Sequence, residues 1–410
     1  MAIPKLALIP SGVKAGKLYS VLPTNGDGDF TTTRNTVATR VNESGLIEEV
    51  ASNVPRLDYS DGTCPSLLLE NSSTNLMTYS EDFSNAYWIK SGSSVTSGFA
   101  SPDGTANAFK LTEDTSAGVH GLTSDVSGLT IGNTYTISIY AKAGGNNYMY
   151  MRFRYAGNTD VMFDLANGTI GVTGSAVLSQ SINLMANGYY KCTITALAGT
   201  ITEGFRVYNS SNGTDVSYAG DGTSGVYIYG AQLEQNSYST SYIKTVGTAQ
   251  TRVADTATDA GNSTVINSTE GVLYAEISAL ANDGTNRRIS LNDSSDNNRI
   301  NFMYTSALNQ IVCNYKSNGI TRVSLNNSSY DTTLLNKIAF KWKQEDFSLW
   351  INGTEVAVDN NTITMMNSNS LEKLDFIDGS GSNPFYGKTK SVQVYTTALS
   401  DSELQALTSN

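Results

Sequence analysis

The sequence predicts an all-β protein of two antiparallel β-sandwiches, preceded by a small extended N-terminal region. Apolar and polar residues alternate with period two from about Thr134 onward, the spacing at which successive side chains change faces along a strand. Long patterns of 3.6-residue period are nearly absent. The chain is rich in Gly, Ser, Thr and Asn, and its Asn-Gly and Asp-Gly pairs fall between the alternating runs, where tight hairpins need them.

Length and composition set the limits. A chain of 410 residues has room for two or three domains. With 15% charged residues and 7 prolines, it has the makings of neither a long disordered tail nor a proline-rich stalk. A formal charge of -11 argues against a nucleic-acid surface, which works through clustered Lys and Arg that release counterions. The same charge disfavours anionic polysaccharide at long range, unless a local basic patch accepts it. Cys64, Cys192 and Cys313 lie far apart, without the CxxC spacing of zinc or redox sites, and are read as small apolar residues filling β-cores. The opening MAIPKLALIPSGVKAGK has its apolar patch broken by Pro4 and Pro10, so neither a signal peptide nor membrane insertion is expected.

In chain order, residues 1–74 hold short extended runs (38–41, 46–50, 66–70) separated by turn formers such as Asn42-Glu43-Ser44-Gly45 and Ser60-Asp61-Gly62. So few apolar side chains cannot make a core, so this region is expected to pair with or wrap around something larger. Residues 75–247 form the first predicted sandwich. In NTYTISIYAK, Tyr135, Ile137 and Ile139 share one face while Thr134, Thr136 and Ser138 share the other. Residues 248–262 lose the alternation and are read as a linker. Residues 263–410 form the second sandwich, in which Phe347, Leu349 and Ile351 face the core and Asn352-Gly353 turn a hairpin. Ser400 and Glu403 have the spacing of a capping box, worth about 1 kcal/mol to a short final helix.

Several stretches carry a family resemblance. The wording of residues 29–76, together with GAQLEQNSYSTSYIKTVGTAQTRVAD at 230–255, resembles structural proteins of tailed bacteriophages. EDFSNAYWIKSGSSVTSGFASPDGTANAFKLTE, with its Trp88, resembles the opening of carbohydrate-binding jelly rolls. The pair KIAFKWKQEDFSLWINGTEV and FYGKTKSVQVYTTALSDSELQAL resembles laminin-G and concanavalin-A-like lectin domains. The resemblance implies two jelly-roll sandwiches behind an N-terminal virion-attachment region, and a structural appendage protein such as a tail fibre or head fibre. It implies a virion location after synthesis in the host bacterial cytoplasm, other virion proteins as partners of residues 1–74, a homo-oligomer with a trimer favoured, and adhesion to host surface glycans. A tailspike polysaccharide depolymerase and a head decoration protein without glycan binding are the alternatives.

Chemistry is sparse. His120 is the only histidine, which removes most metal sites and triads; its setting, SAGVHGLTS, reads as a surface or turn position. No catalytic residue is assigned: Glu345-Asp346 and the pair Asp375 and Asp378 come nearest to a glycosidase carboxylate pair, and they read as decoration of a turn and of a solvated strand face. No cofactor is expected beyond a calcium ion in a loop of the C-terminal domain, which the laminin-G resemblance allows. Asn25-Gly26-Asp27-Gly28-Asp29 and Asn282-Asp283-Gly284 have calcium-loop composition without EF-hand spacing, and they read equally as tight turns. Trp88, Trp342 and Trp350 read as core plugs.

The best candidate site emerges when odd and even positions of three runs are separated. Met149, Met151, Phe153 and Tyr155 alternate with Tyr148, Tyr150, Arg152 and Arg154; Phe205 and Val207 with Arg206 and Tyr208; Val226 and Ile228 with Tyr227 and Tyr229. If these strands share a sheet, the aliphatic set packs inward. Tyr148, Tyr150, Arg152, Arg154, Arg206, Tyr208, Tyr227 and Tyr229 then form an outer face suited either to a glycan or to an interface with a domain or subunit.

Overall fold

A computed structural model describes residues 2–409 and is nearly all β, with one α-helix at Asp401–Thr408 among the described residues. No helix among them is long and apolar enough to cross a membrane. The chain divides into two compact units, each assembled from discontinuous segments.

The central unit comprises Ala38–Glu49 and Ser72–Arg252 and is a sandwich of two six-stranded antiparallel sheets. The first sheet runs Ile89–Ser91, Gly121–Ser127, Thr202–Ser210, Tyr148–Phe153, Val161–Asp164, Thr169–Thr173. The second runs Ser93–Phe99, Ala108–Glu113, Gly225–Glu234, Thr134–Ala143, Tyr190–Leu197, Val177–Leu184. Strand alternation dictates the core. Met149, Met151, Phe153, Phe205 and Val207 meet Tyr135, Ile137, Ile139, Val226 and Ile228. Trp88 plugs the same core against Phe83 and Phe205, with its indole N–H donating to the Tyr79 carbonyl at 2.9 Å. On the outer side of the second sheet, Ile47 of the hairpin Ala38–Val41 and Ile47–Val50 packs on Tyr140, Tyr189, Tyr229 and Tyr242.

The other unit comprises the chain up to Val37, Val50–Asn71, and everything from Val253 onward. Its larger sheet runs Thr354–Asp359, Phe347–Ile351, Asn336–Trp342, Gly271–Ala279, Gly387–Tyr395, Ser66–Leu69, Arg56–Asp58. Two N-terminal segments share one side of the Gly387–Tyr395 strand: Leu67–Leu69 pair with Gly387–Thr389, and Leu6–Leu8 with Val392–Val394. The second sheet runs Ile320–Asn327, Ile311–Ser317, Arg299–Tyr304, Arg287–Asn292, Lys373–Asp375. Phe347, Leu349, Ile351 and Trp342 are fully buried in the core, as the alternation requires. Asn352 and Gly353 turn their hairpin at φ 49° and 82°, the left-handed pair that a tight connection demands. Ser400 and Glu403 close the capping box, and Leu404 sets the helix against Val272, Tyr274 and Trp350.

These units differ from the expected division at 74, 247 and 262. Residues 1–74 do not stand apart: Leu6, Leu8, Leu18, Phe30, Leu67 and Leu69 are buried in the second sandwich's core, because strands this short find apolar partners only in a larger sheet. Residues 38–49 belong instead to the central unit. Charges are buried along with the strands. Arg56, fully enclosed, pairs with both Glu70 and Asp255, and Arg34 donates to Asp255 at 3.0 Å, tying residues 34–70 to residue 255. Cys192 and Cys313 fill cores as expected, and burial pushes both thiols well up in pKa, but Cys64 is exposed, because it lies in the turn between Arg56–Asp58 and Ser66–Leu69 and not on a core-facing strand.

Candidate functional site

The outer face of the central unit's first sheet carries most of the expected Tyr/Arg set. Tyr148–Phe153 and Thr202–Ser210 are antiparallel neighbours, so side chains opposite one another share a face. Tyr150 stands opposite Tyr208 and Arg152 opposite Arg206, while Met151–Val207 and Phe153–Phe205 form the alternate, inward rungs. The next strand places Gly121 beside Tyr208 and Thr123 beside Arg206. Gly121 has a specific purpose here. A Cβ on it would stand 2.6 Å from the Tyr208 ring and 2.1 Å from the Val207 carbonyl oxygen, so only glycine lets that ring lie over the strand.

The guanidinium groups differ in their partners. Arg152 pairs with Asp160 at 3.2 Å. Arg154 pairs with Asp125, whose hydrogen bond raises the arginine's pKa, and its guanidinium carbon lies 5.0 Å from the centre of the Tyr155 ring. Arg206 donates to the Tyr208 hydroxyl at 3.1 Å and has no carboxylate partner among the described residues. At one end the face is covered: the Tyr150 hydroxyl donates to the Gly213 and Thr214 carbonyls at 3.2 and 3.3 Å, and burial raises its pKa. A Cβ on Gly213 would stand 3.0 Å from the Tyr148 ring, so the same loop runs close beside that ring. The open portion is therefore Arg152, Arg206, Tyr208, Arg154 and Tyr155, the last 46% exposed.

Two expected members lie elsewhere. The strand Gly225–Glu234 belongs to the second sheet, so Tyr227 and Tyr229 project from the opposite outer surface. Tyr227 lies against Phe99 with ring centres 4.9 Å apart, and Lys110 sits 5.9 Å from its ring. Tyr229 is 2% exposed and donates to Glu81 and Asp103 at 3.0 and 3.1 Å. Burial, then Tyr242 and these carboxylates, pushes its pKa far up, so it is a buried structural hydroxyl. Conversely, Tyr155 falls in the aliphatic set by alternation but lies outside the strand. The strand ends at Phe153, which releases Tyr155 from the alternation and exposes it. Asp125 and Asp160 have no signal in the alternation: Asp125 lies 29 residues from Arg154, and Asp160 lies in the turn after the strand that carries Arg152.

The remaining candidates sort by their contacts. His120 is fully buried, not at the surface: its Nδ1 lies 2.6 Å from the Gly92 carbonyl and its Nε2 3.0 Å from the Tyr218 carbonyl, so the ring ties three segments together. Asp375 and Asp378 are buried too, contrary to the solvated face expected of them. Asp375 accepts from the Asp259 backbone N–H at 2.6 Å and from Asn292 at 2.8 Å, while Asp378 accepts from Ser380, Ser382, Asn383 and Arg288. Glu345 and Asp346 occupy a turn, with Glu345 at φ 60°. In the loops of calcium-like composition, Asp29 pairs with Lys17 and Asp283 with Arg287. Among the described residues, no three His, Cys, Asp or Glu side chains gather as a cation site.

The fold is that of a β-sandwich protein, and its C-terminal sandwich is lectin-like by sequence. Residues 264–405 match the Laminin_G_3 family model, described as the Concanavalin A-like lectin/glucanases superfamily. No curated protein matches the chain. Among solved structures, the chain is similar to the Ruminococcus gnavus IT-sialidase CBM40 bound to α2,3-sialyllactose, at 18% identity and TM-score 0.31, over 34% of this chain and 83% of that one. It is also similar to domain 4 of AbnA, a GH43 extracellular arabinanase from Geobacillus stearothermophilus, at 13% identity and TM-score 0.31, over 38% and 73%. Mouse laminin α1 domains LG4-5 align at 10% identity and TM-score 0.24, over 70% and 89%.

Proposed function

We propose that this chain binds glycans without cleaving them and does so as a structural appendage of a bacteriophage particle, a tail fibre or head fibre. The observation that carries the adhesion reading is the Arg152–Arg206 rung beside Tyr208 on the open part of one outer face, with Arg206 free of any carboxylate among the described residues. A tyrosine ring packs against the C–H face of a sugar, and a guanidinium offers a planar fork of donors to hydroxyl or carboxylate oxygens. Asp125 and Asp160, the carboxylates flanking the face, are each engaged by an arginine, which supports binding rather than acid-base chemistry. A shallow site of this kind binds with about 4 kcal/mol, a millimolar constant, and several copies on one particle raise avidity by about 10² to 10⁴. The virion reading rests on the wording of residues 29–76 and 230–255, with residues 1–74 meeting other virion proteins.

Glycan arrays and host-cell retention test it. The purified chain is expected to be retained, and Arg206→Ala and Tyr208→Ala to lose about tenfold or more in affinity while remaining folded. No retention on any array or host cell sinks the adhesion reading. Release of oligosaccharides from host polysaccharide identifies a depolymerase instead.

A further inference from the structure

We propose that the edge strand Val177–Leu184 is a docking edge for a second copy of this chain, which pairs with it antiparallel and joins two six-stranded sheets into one. The strand ends the second sheet of the central unit. Only one of its sides is bonded, to Tyr190–Leu197, so its other row of N–H and C=O groups is open. Val177 and Ile182 pack against the core, but most of its side chains are exposed, Leu178 at 58% and Leu184 at 69%, and Val172 on the strand Thr169–Thr173 is 55% exposed.

What sets this edge apart is its lack of protection. No charged residue occurs between Asp164 and Lys191, the longest uncharged run in the chain. Other edges carry the usual guards: Glu355 and Asp359 on Thr354–Asp359, Arg322 on Ile320–Asn327, Lys90 on Ile89–Ser91. The opposite edge of the same sheet, Ser93–Phe99, is uncharged but broken by a bulge between Ser97 and Phe99, with Gly98 at φ 98°. Thr169–Thr173 is likewise bulged against its partner. The Val177–Leu184 strand has its bulge at the beginning, between Val177 and Ser179, which leaves Ser179–Leu184 in unbroken register.

Charge selects the occupant. At a net charge of -11, two copies repel one another, and they approach with least opposition where neither carries charge. An antiparallel pair of identical strands is self-complementary, so this edge serves both partners at once through a two-fold contact. The pairing stands whether or not the chain binds glycan. Where it does, the contact places two Tyr/Arg faces on one body.

The test is the mass of the full chain in solution, by light scattering or sedimentation across a concentration series, beside Gln180→Lys and Leu184→Lys. Both sites are exposed, so the variants are expected to melt with the wild type. Val358→Lys, on the Thr354–Asp359 edge, is the control. The expected result is a two-copy species whose dissociation constant rises about tenfold or more in the two edge variants and is unchanged in the control. Amide exchange on the wild-type protein gives an independent reading: residues 179–184 slow down as concentration rises. A monomer at every concentration, an oligomer indifferent to both lysines, or unprotected amides at 179–184 in the oligomer would each overturn the proposal.

Discussion

At Gly121 the Tyr/Arg face depends on an atom that is missing. Adding one methyl group there pushes the Tyr208 ring off the strand and meets the Val207 carbonyl, which cannot move without disturbing the ladder. Gly121→Ala is expected to cost about 1–3 kcal/mol, the range for overpacking, read as a lower denaturation midpoint, and to weaken glycan retention with it. Arg56 presents the opposite case, a side chain that cannot be removed. Its guanidinium lies fully buried between Glu70 and Asp255, whose proximity raises its pKa against the effect of burial. Arg56→Ala leaves two carboxylates enclosed without their counter-charge and is expected to cost about 3–5 kcal/mol in urea unfolding. A variant of wild-type stability would show that water reaches this cluster.

Single elements show where the sequence was legible and where it fell silent. Period-two alternation identifies which side of a strand faces the core, and it placed Met151, Val207 and Ile228 inward. It carries no information about which sheet a strand joins, because that is settled by pairing between residues far apart, and so Tyr227 and Tyr229 were grouped with a face they do not share. Local motifs read better, since their partners lie within a few residues. Ser400 accepts from the Glu403 backbone N–H, and Ser400→Ala is expected to cost about 1 kcal/mol in thermal unfolding. The loop at 378–383 adds a pH dependence. Burial pushes Asp378 up, but hydrogen bonds from Asn383, Ser380 and Ser382 and the charge of Arg288 outweigh it and hold the carboxyl below its ordinary value. Asp103, Asp164 and Asp259 are held down in the same way. A carboxyl lowered in the folded state adds stability that is complete above its unfolded value, near pH ~4, and is lost as the pH falls through the folded value. Unfolding free energy is therefore expected to hold above that range and decline below it, and Asp378→Asn to flatten part of the decline. A pH-independent midpoint between neutrality and pH ~3 would contradict this.

At the scale of the molecule, the question is whether residues 1–74 are an arm or part of a body. The sequence indicated that they could not form a core alone, but not which sheet would take them, because the recipient strand, Gly387–Tyr395, lies more than three hundred residues away. Once paired, Leu6, Leu8, Leu18, Phe30, Leu57, Leu67 and Leu69 belong to the second sandwich's core. Each such side chain contributes about 1.5–3 kcal/mol by leaving water. Seven together contribute about 10–20 kcal/mol, comparable with the roughly 5–15 kcal/mol that holds a typical domain folded. Deleting residues 1–74 also strips both segments from the Gly387–Tyr395 strand and removes Arg34, Arg56 and Glu70 from around Asp255. A chain of residues 75–410 is thus expected to lose the second sandwich: protease cuts within 263–410 that the full chain resists, and a missing calorimetric transition. The central sandwich loses the hairpin that carries Ile47 but keeps every strand of its two six-stranded sheets, and it is expected to survive the deletion with its core signals and its Tyr/Arg face. A detachable arm predicts the reverse, an intact protease-resistant 263–410 fragment, and limited proteolysis of the two chains side by side decides between them.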